Sequence, residues 1–285
     1  MNTKAADFLS CIDWTRPWLA HIRSLGEAIA QAPDWRIALN QQAQQRALRN
    51  HQGLPIQFVP QQTLPPGMAY EAFISASGQV PTRDNLHDFF NGLVWLTFPA
   101  AKAQLNALQA VEITKSSLQS GAAFAPSTDS AGGHGKSRGK LRDAATIFDE
   151  NAILLVTSNA DMVNALRAHA WEDVFVRQRE VFQQTCIPLL FGHALMEKLL
   201  APYKAITGHM WVIEAMPASL TEPSVATERR CDLVDMSLAQ KLQRGLTTAD
   251  FSPLPVLGVP DWWAGQDAVF YRDQSVFRAA KVARS

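Results

Sequence analysis

Apolar residues recur at three- and four-residue spacings along most of the chain, broken by proline and glycine. Trp18, Ile22, Leu25 and Ile29 form one such stripe behind Pro17, which suits a first helical turn. After Pro33, Asp34 is positioned to cap a second helix that carries Trp35, Ile37, Leu39 and Leu48 and ends near Asn50 and Gly53. Residues 55–66 read as extended and Tyr70 to Ser75 as a short strand, with a turn at Gly78 and Pro81. Thr82 or Asp84 caps the next predicted helix, which runs to Phe98. Pro99 opens another through Lys102, Leu105 and Leu108. Ala144 to Phe148 and Ala152 to Thr157 flank Asp149-Glu150-Asn151, the pattern of a β-hairpin with an acidic turn. Helices are predicted from Ser158 or Asn159, over residues 171–186, from Pro188 to Leu200 and over residues 232–243. Met210 to Ala215 reads as a strand, Pro217 to Glu228 as a polar loop, and the Trp- and Pro-rich tail after Pro253 as a surface wrap. Few strands among many helices, without regular alternation, predict an α+β fold. It is expected as one helix-rich domain over residues 1–285 with a small antiparallel or mixed sheet.

Composition changes this picture at one place. Residues 116–139 shift to Ser, Gly, Ala and Pro, which predicts a flexible loop. Elsewhere, 47% hydrophobic and 18% charged residues describe a globular chain and exclude a disordered one. The 26 basic and 26 acidic residues cancel, which argues against a dedicated polyanion binder but permits a local basic strip. The three cysteines, Cys11, Cys186 and Cys231, are too few and too far apart for a disulfide framework or a cysteine-based zinc site. No leader pattern is visible at the start, and no run reaches the roughly 20 apolar residues of a membrane helix. A soluble, cytoplasmic protein is expected.

Three segments offer chemistry. In residues 83–91 a continuous helix would align Arg83, His87 and Asn91 with Phe90, Val94 and Phe98, and would turn Asp88 elsewhere. That stripe reads as a pocket base, His87, held by Asn91, with Arg83 fixing an anion. The plainer reading is a capped helix start with a hydrogen-bonded core histidine. In residues 191–198, His193 and Glu197 are four apart on an apolar helix, and Gly192 permits a close backbone approach. This is an acid–base pair with Glu197 orienting His193, or a structural ion pair. No metal is predicted, because the His-Glu-x-x-His pattern is absent and two ligands do not make a site. In residues 132–143, Gly135-Lys136-Ser137 fails as a phosphate loop, since Ser130 occupies the position of the required glycine. Lys136, Arg138, Lys140 and Arg142 instead alternate, a comb that would point to one side of an extended chain. Such a comb grips phosphate or is merely solvated; Arg142 and Asp143, next to the predicted hairpin, are expected to be ordered. Asp149 and Glu150 read as turn carboxylates without chemistry.

Together these segments have a familiar order. Val80-Pro81-Thr82-Arg83-Asp84-Asn85-Leu86-His87-Asp88-Phe89-Phe90-Asn91 precedes Trp95 and Phe98-Pro99. Arg142-Asp143, Phe148-Asp149-Glu150-Asn151 and Phe191-Gly192-His193-Ala194-Leu195-Met196-Glu197-Lys198 come next, and Leu254-Pro255-Val256-Leu257-Gly258-Val259-Pro260 with Trp262-Trp263 closes the series. In this the chain resembles a bacterial, mostly proteobacterial, family known only as a domain of unknown function. The resemblance implies one bacterial domain and carries no reaction, cofactor or catalytic residue.

From the residues, the leading expectation is an enzyme with a histidine acid–base centre. His87, His193 and Glu197 would be catalytic, and Arg83, Asn91, Arg142 and Asp143 would bind a small or terminal anionic group for hydrolysis or group transfer. The competing expectation is a non-catalytic binding or adaptor protein, on RNA through the comb and the Trp-rich tail. No cofactor and no oligomeric state follow from the sequence. Duplex DNA is not expected as a partner, because counterion release needs several phosphate contacts and the basic strip is short. A titration against random duplex at physiological salt should show no sub-micromolar, salt-steep binding.

Overall fold

The computed structural model describes residues 7–119, 139–214 and 226–280. In chain order the helices are α1 (Arg23–Ala30), α2 (Trp35–Gln45), α3 (Tyr70–Ser77), α4 (Leu86–Thr97), α5 (Pro99–Gln119), α6 (Lys140–Asn151), α7 (Ala160–Arg167), α8 (Arg179–Thr185), α9 (His193–Lys198), α10 (Thr227–Gln243) and α11 (Ala268–Tyr271). The strands are β1 (Gln57–Pro60), β2 (Gln79–Thr82), β3 (Ala152–Thr157), β4 (Cys186–Leu190), β5 (Thr207–Ile213) and β6 (Ser252–Pro255). β1 and β2 pair in parallel as a ribbon, and the others form one mixed sheet in the order β4-β3-β5-β6. β3 runs parallel to β5 and antiparallel to β4, and β5 is antiparallel to β6. This is the α+β architecture expected. No helix among the described residues is long and apolar enough to cross a membrane.

β3 is buried at every position and lies inside the sheet. That suits its unbroken Ala-Ile-Leu-Leu-Val run, since a strand covered on both faces does not alternate. Trp95, Phe89, Phe90 and Phe98 of the α4 segment are also buried, and one connected set of buried apolar side chains reaches from Leu9 to Phe277. Side chains hold several helix starts. Asp34 accepts from the amides of Arg36 and Ile37, as predicted. The amides of Ala100 and Ala101, at the start of α5, donate to Asp235 of α10 at 2.9 and 2.8 Å. Trp262 is buried with its ring 6.2 Å from that of Trp18, so it packs on the core, while Trp263 is part-exposed.

Several expectations are corrected. Tyr70 to Ser75 is helical; the stop is Gly78, whose φ of +73° makes a left-handed C-terminal cap. The predicted 144–157 hairpin is the end of α6 running straight into β3. Its buried Ala144, Ala145 and Phe148 were a helical stripe. Pro188 does not open a helix but sits in β4, at the sheet edge, where its missing N–H costs no ladder bond. The predicted 171–186 helix is one π-helical turn over Asp173–Arg177 followed by α8, with Cys186 already in β4. The cap of α4 is Asn85, which accepts from the Asp88 amide at 2.8 Å, whereas Asp84 pairs with Arg36. The predicted 116–139 loop begins later, since α5 continues to Gln119. Residues 120–138, and most of the predicted 217–228 loop, lie outside the described residues.

The sheet and α6 converge at one tight junction. The amides of Phe191 and Gly192, between β4 and α9, both donate to the carbonyl of Ala152, at 3.1 and 2.9 Å. A Cβ on Gly192 would fall 2.5–2.6 Å from backbone atoms of Glu150, Asn151 and Ala152, none of which is a flexible side-chain end. Gly192→Ala is therefore expected to lose about 1–3 kcal/mol or more through overpacking, read as a lower midpoint in denaturant with an unchanged slope.

Candidate functional site

Three helices deliver the ionisable groups. His87 stands in the first turn of α4, Glu150 in the last turn of α6, and His193 and Glu197 on successive turns of α9. Beneath them Phe191 packs on Phe148 and Phe98, with ring centroids 4.7 and 5.5 Å away. The backbone junction at Gly192 brings α9 against the end of α6.

The two imidazoles meet edge to face. Nε2 of His193 lies 3.0 Å from Nε2 of His87. The Glu150 carboxylate stands 3.5 Å from the first and 3.8 Å from the second. On its other side, His87 turns Nδ1 to Glu197 at 3.2 Å. A carboxylate only accepts, so this Nδ1 carries a hydrogen and Nε2 is the nitrogen turned to the centre. His193 is 3% exposed. Burial pushes its pKa down to about 3, against the pull of Asp149, so it is neutral at physiological pH. Its Nδ1 has no hydrogen-bond partner, and the nearest carboxylate, Asp149, is 3.8 Å away. Burial also raises the Glu150 carboxyl, and the neighbouring Asp149 charge adds to this.

A buried polar layer backs the cluster. Lys102 Nζ donates to Asp149 at 2.6 Å and to the Asn91 side-chain oxygen at 2.9 Å. The Asn91 amide donates to the Tyr70 hydroxyl at 3.2 Å. Burial by itself would raise Asp149, but Lys102, His193 and His87 together outweigh it and hold the carboxyl below its usual range.

The structure thus joins His87, His193 and Glu197, but not in the predicted roles. Glu197 serves His87, not His193, because the α9 face that carries it turns toward α4. Asn91 does not hold His87; it bridges Lys102 and Tyr70. Arg83 precedes α4, so it shares no helical stripe with His87. The anion it grips is Asp88, which accepts from the Arg83 amide and guanidinium at 2.6–3.1 Å and is buried rather than turned away. Arg142 and Asp143 lie in the first turn of α6, about 10–12 Å along its axis from Glu150. The Arg142 charge acts on Glu71. Lys140 and Arg142 are helical, which ends the predicted alternation there, and Lys136 and Arg138 lie outside the described residues. Glu150, Asp149 and Lys102 are the residues that sequence reasoning passed over; the helical spacing of Ala144, Ala145 and Phe148 was the available signal for the first two. A cleft of about 710 Å³ lies elsewhere, among His21, Arg46, Cys231 and Asp232.

Residues 56–281 match the model of a family described as "Protein of unknown function (DUF3025)". The chain belongs to that family. No curated protein and no solved structure matches it. His87, Glu150, His193 and Glu197 all fall within the span matched to the DUF3025 model.

The neutral, buried state of His193 has a consequence for stability. Between its usual value of 6.5 and about 3, the unfolded chain takes up a proton that the folded site refuses. Folding free energy therefore falls as pH drops through that window. His193→Gln is expected to flatten this limb in urea titrations run from pH 7 to pH 4. The part due to His21, whose pKa burial lowers to about 4, should remain.

Proposed function

We propose that this protein is an enzyme whose working centre is the His87–Glu150–His193–Glu197 cluster, carrying out hydrolysis or group transfer at a small or terminal anionic group. The observation that carries the reading is the meeting of two imidazole Nε2 atoms, 3.0 Å apart, with a carboxylate at 3.5 and 3.8 Å. Three separate helices supply these atoms, and His193 is held there at the cost of desolvation. A core that needed only packing would place apolar side chains here.

The attacking group, a water or a substrate hydroxyl, is activated where these three side chains converge. Two facing imidazole nitrogens share either a proton or an ion, and both arrangements give the nucleophile a way to lose its proton. Glu197 keeps His87 in the tautomer whose Nε2 faces inward, as an orienting carboxylate does for a histidine base. Glu150, part-buried and with a raised pKa, is the carboxyl group beside both Nε2 atoms, where it exchanges a proton or helps to hold a shared ion. The expected setting is the bacterial cytoplasm, in keeping with the free thiols of Cys11, Cys186 and Cys231.

The test is a panel of phosphate monoesters, carboxylic esters and peptides with free terminal carboxylates, paired with complementation of a deletion strain. Glu150→Gln and His87→Gln are expected to lower kcat/KM by about 10²–10⁴-fold while the unfolding midpoint stays close to wild type. If complementation and turnover simply follow the amount of folded protein in each variant, the cluster is structural and the reading falls.

A further inference from the structure

We infer that the cluster is a metal centre: His87 Nε2, His193 Nε2 and the Glu150 carboxylate hold one divalent first-row transition ion of the zinc type, with positions left open for water and substrate. The inference rests on the reading of this cluster as the working centre and specifies what the two imidazoles share.

The first support is geometric. One ligand atom from each of His87, Glu150 and His193 lies within 4.8 Å of the other two. At the usual ion–imidazole bond length of about 2.0–2.1 Å, the 3.0 Å separation of the Nε2 atoms subtends about 95° at a shared ion. The Glu150 oxygen, at 3.5 and 3.8 Å, is on a half-exposed side chain and completes the third corner by a small rotation. Two imidazoles and one carboxylate select zinc, iron or cobalt over magnesium or calcium, which take oxygen donors. Three protein ligands, rather than four, is the number that leaves a reactive position.

The second support is a hydrogen-placement conflict between two neutral imidazoles, which a shared cation, whether a proton or a metal ion, relieves. His87 gives its Nδ1 hydrogen to Glu197, so its Nε2 is bare. If neutral His193 carries its hydrogen on Nε2, it donates to His87 but turns a bare, buried Nδ1 toward the Asp149 carboxylate. If the hydrogen is on Nδ1, it faces Asp149 at 3.8 Å, beyond hydrogen-bond reach, and two lone pairs face each other at 3.0 Å. A cation between the Nε2 atoms removes the conflict. His87 then has Glu197 hydrogen-bonded to its far nitrogen at 3.2 Å, the arrangement that orients metal-ligating imidazoles, and the Asp149 charge lies 3.8 Å behind the far nitrogen of His193.

The third support is charge. Asp149, Glu150 and Glu197 surround the centre, and Lys102 is the cation bonded within it. Arg83 is neutralised by Asp88. A shared proton leaves this region negative and hostile to an anionic substrate, whereas a divalent ion balances the three carboxylates together with Lys102. The ion is therefore what lets the same centre accept the substrate class proposed above.

The experiment uses tag-free, chelator-treated full-length protein, titrated calorimetrically with Zn²⁺ and separately with Co²⁺ and anaerobic Fe²⁺. One equivalent of ion should bind, and bound Co²⁺ should give visible bands reporting mixed nitrogen and oxygen ligands. Glu150→Gln, on a half-exposed side chain, and His87→Ala should each weaken binding by about a hundredfold or more, and Glu197→Gln by about 10–100-fold, with the unfolding midpoints measured alongside. No binding, or binding that Glu150→Gln and His87→Ala leave unchanged, overturns the inference. If chelator-treated protein binds no ion yet turns over a substrate in a His87-dependent way, the metal centre is refuted and the acid–base enzyme stands. If the ion binds as expected but neither variant affects turnover or complementation, the metal centre stands and the enzyme reading falls.

Discussion

The close approach of Gly192 to the end of α6 is the constraint on which the site depends. With no side chain at position 192, the β4–α9 turn closes onto Glu150, Asn151 and Ala152 and places two amides on one carbonyl oxygen. That contact fixes where α9 starts, and hence where His193 stands relative to Glu150. The Phe148–Phe191 pair beneath it excludes water from the same junction. The packing of α4 against α9 then brings His87 into reach, so a short backbone contact sets the relative position of residues more than a hundred positions apart in sequence.

Behind the histidines, the protein spends stability on a buried ion pair. Removing one partner of such a pair costs about 3–5 kcal/mol because the other is left charged and unpaired. Lys102 and Asp149 avoid that cost by pairing with each other, and Lys102 also bonds Asn91 and lies 5.5 Å from the centre of the Trp95 ring. The pair therefore links α5 to α6 and presents a fixed negative charge behind His193. Its packing value and its electrostatic effect on the cluster come from the same two atoms.

Where local pattern and tertiary packing agree, the sequence was readable. Asp34 caps the helix it was expected to cap, Asn159, one of the two starts considered, caps α7, Pro99 begins α5, and the apolar run before Pro99 is the buried α4. The errors cluster where an apolar run of four to eight residues supports either state. Tyr70 to Ser75 looks β-rich in composition, yet the covering of Phe73 and Ile74 by neighbouring elements makes it helical. Ile187 and Leu189 around Pro188 form a strand because an edge position beside β3 was available. Periodicity alone does not contain that information.

For this protein, then, the sequence by itself determined the helix-rich α+β class, the Asp34 cap, and the presence of His87, His193 and Glu197 on helices with apolar faces. These follow from interactions within four residues along the chain, which the local order of residues specifies directly. Only the tertiary structure decided which carboxylate serves which imidazole, that Glu150 and Asp149 belong to the centre, that Arg83 is occupied by Asp88, and that Arg142 and Asp143 stand at the far end of α6. Those facts depend on how α4, α6 and α9 approach one another. That approach is set by backbone contact at Gly192 and by aromatic packing at Phe148 and Phe191, between residues that no short-range pattern connects.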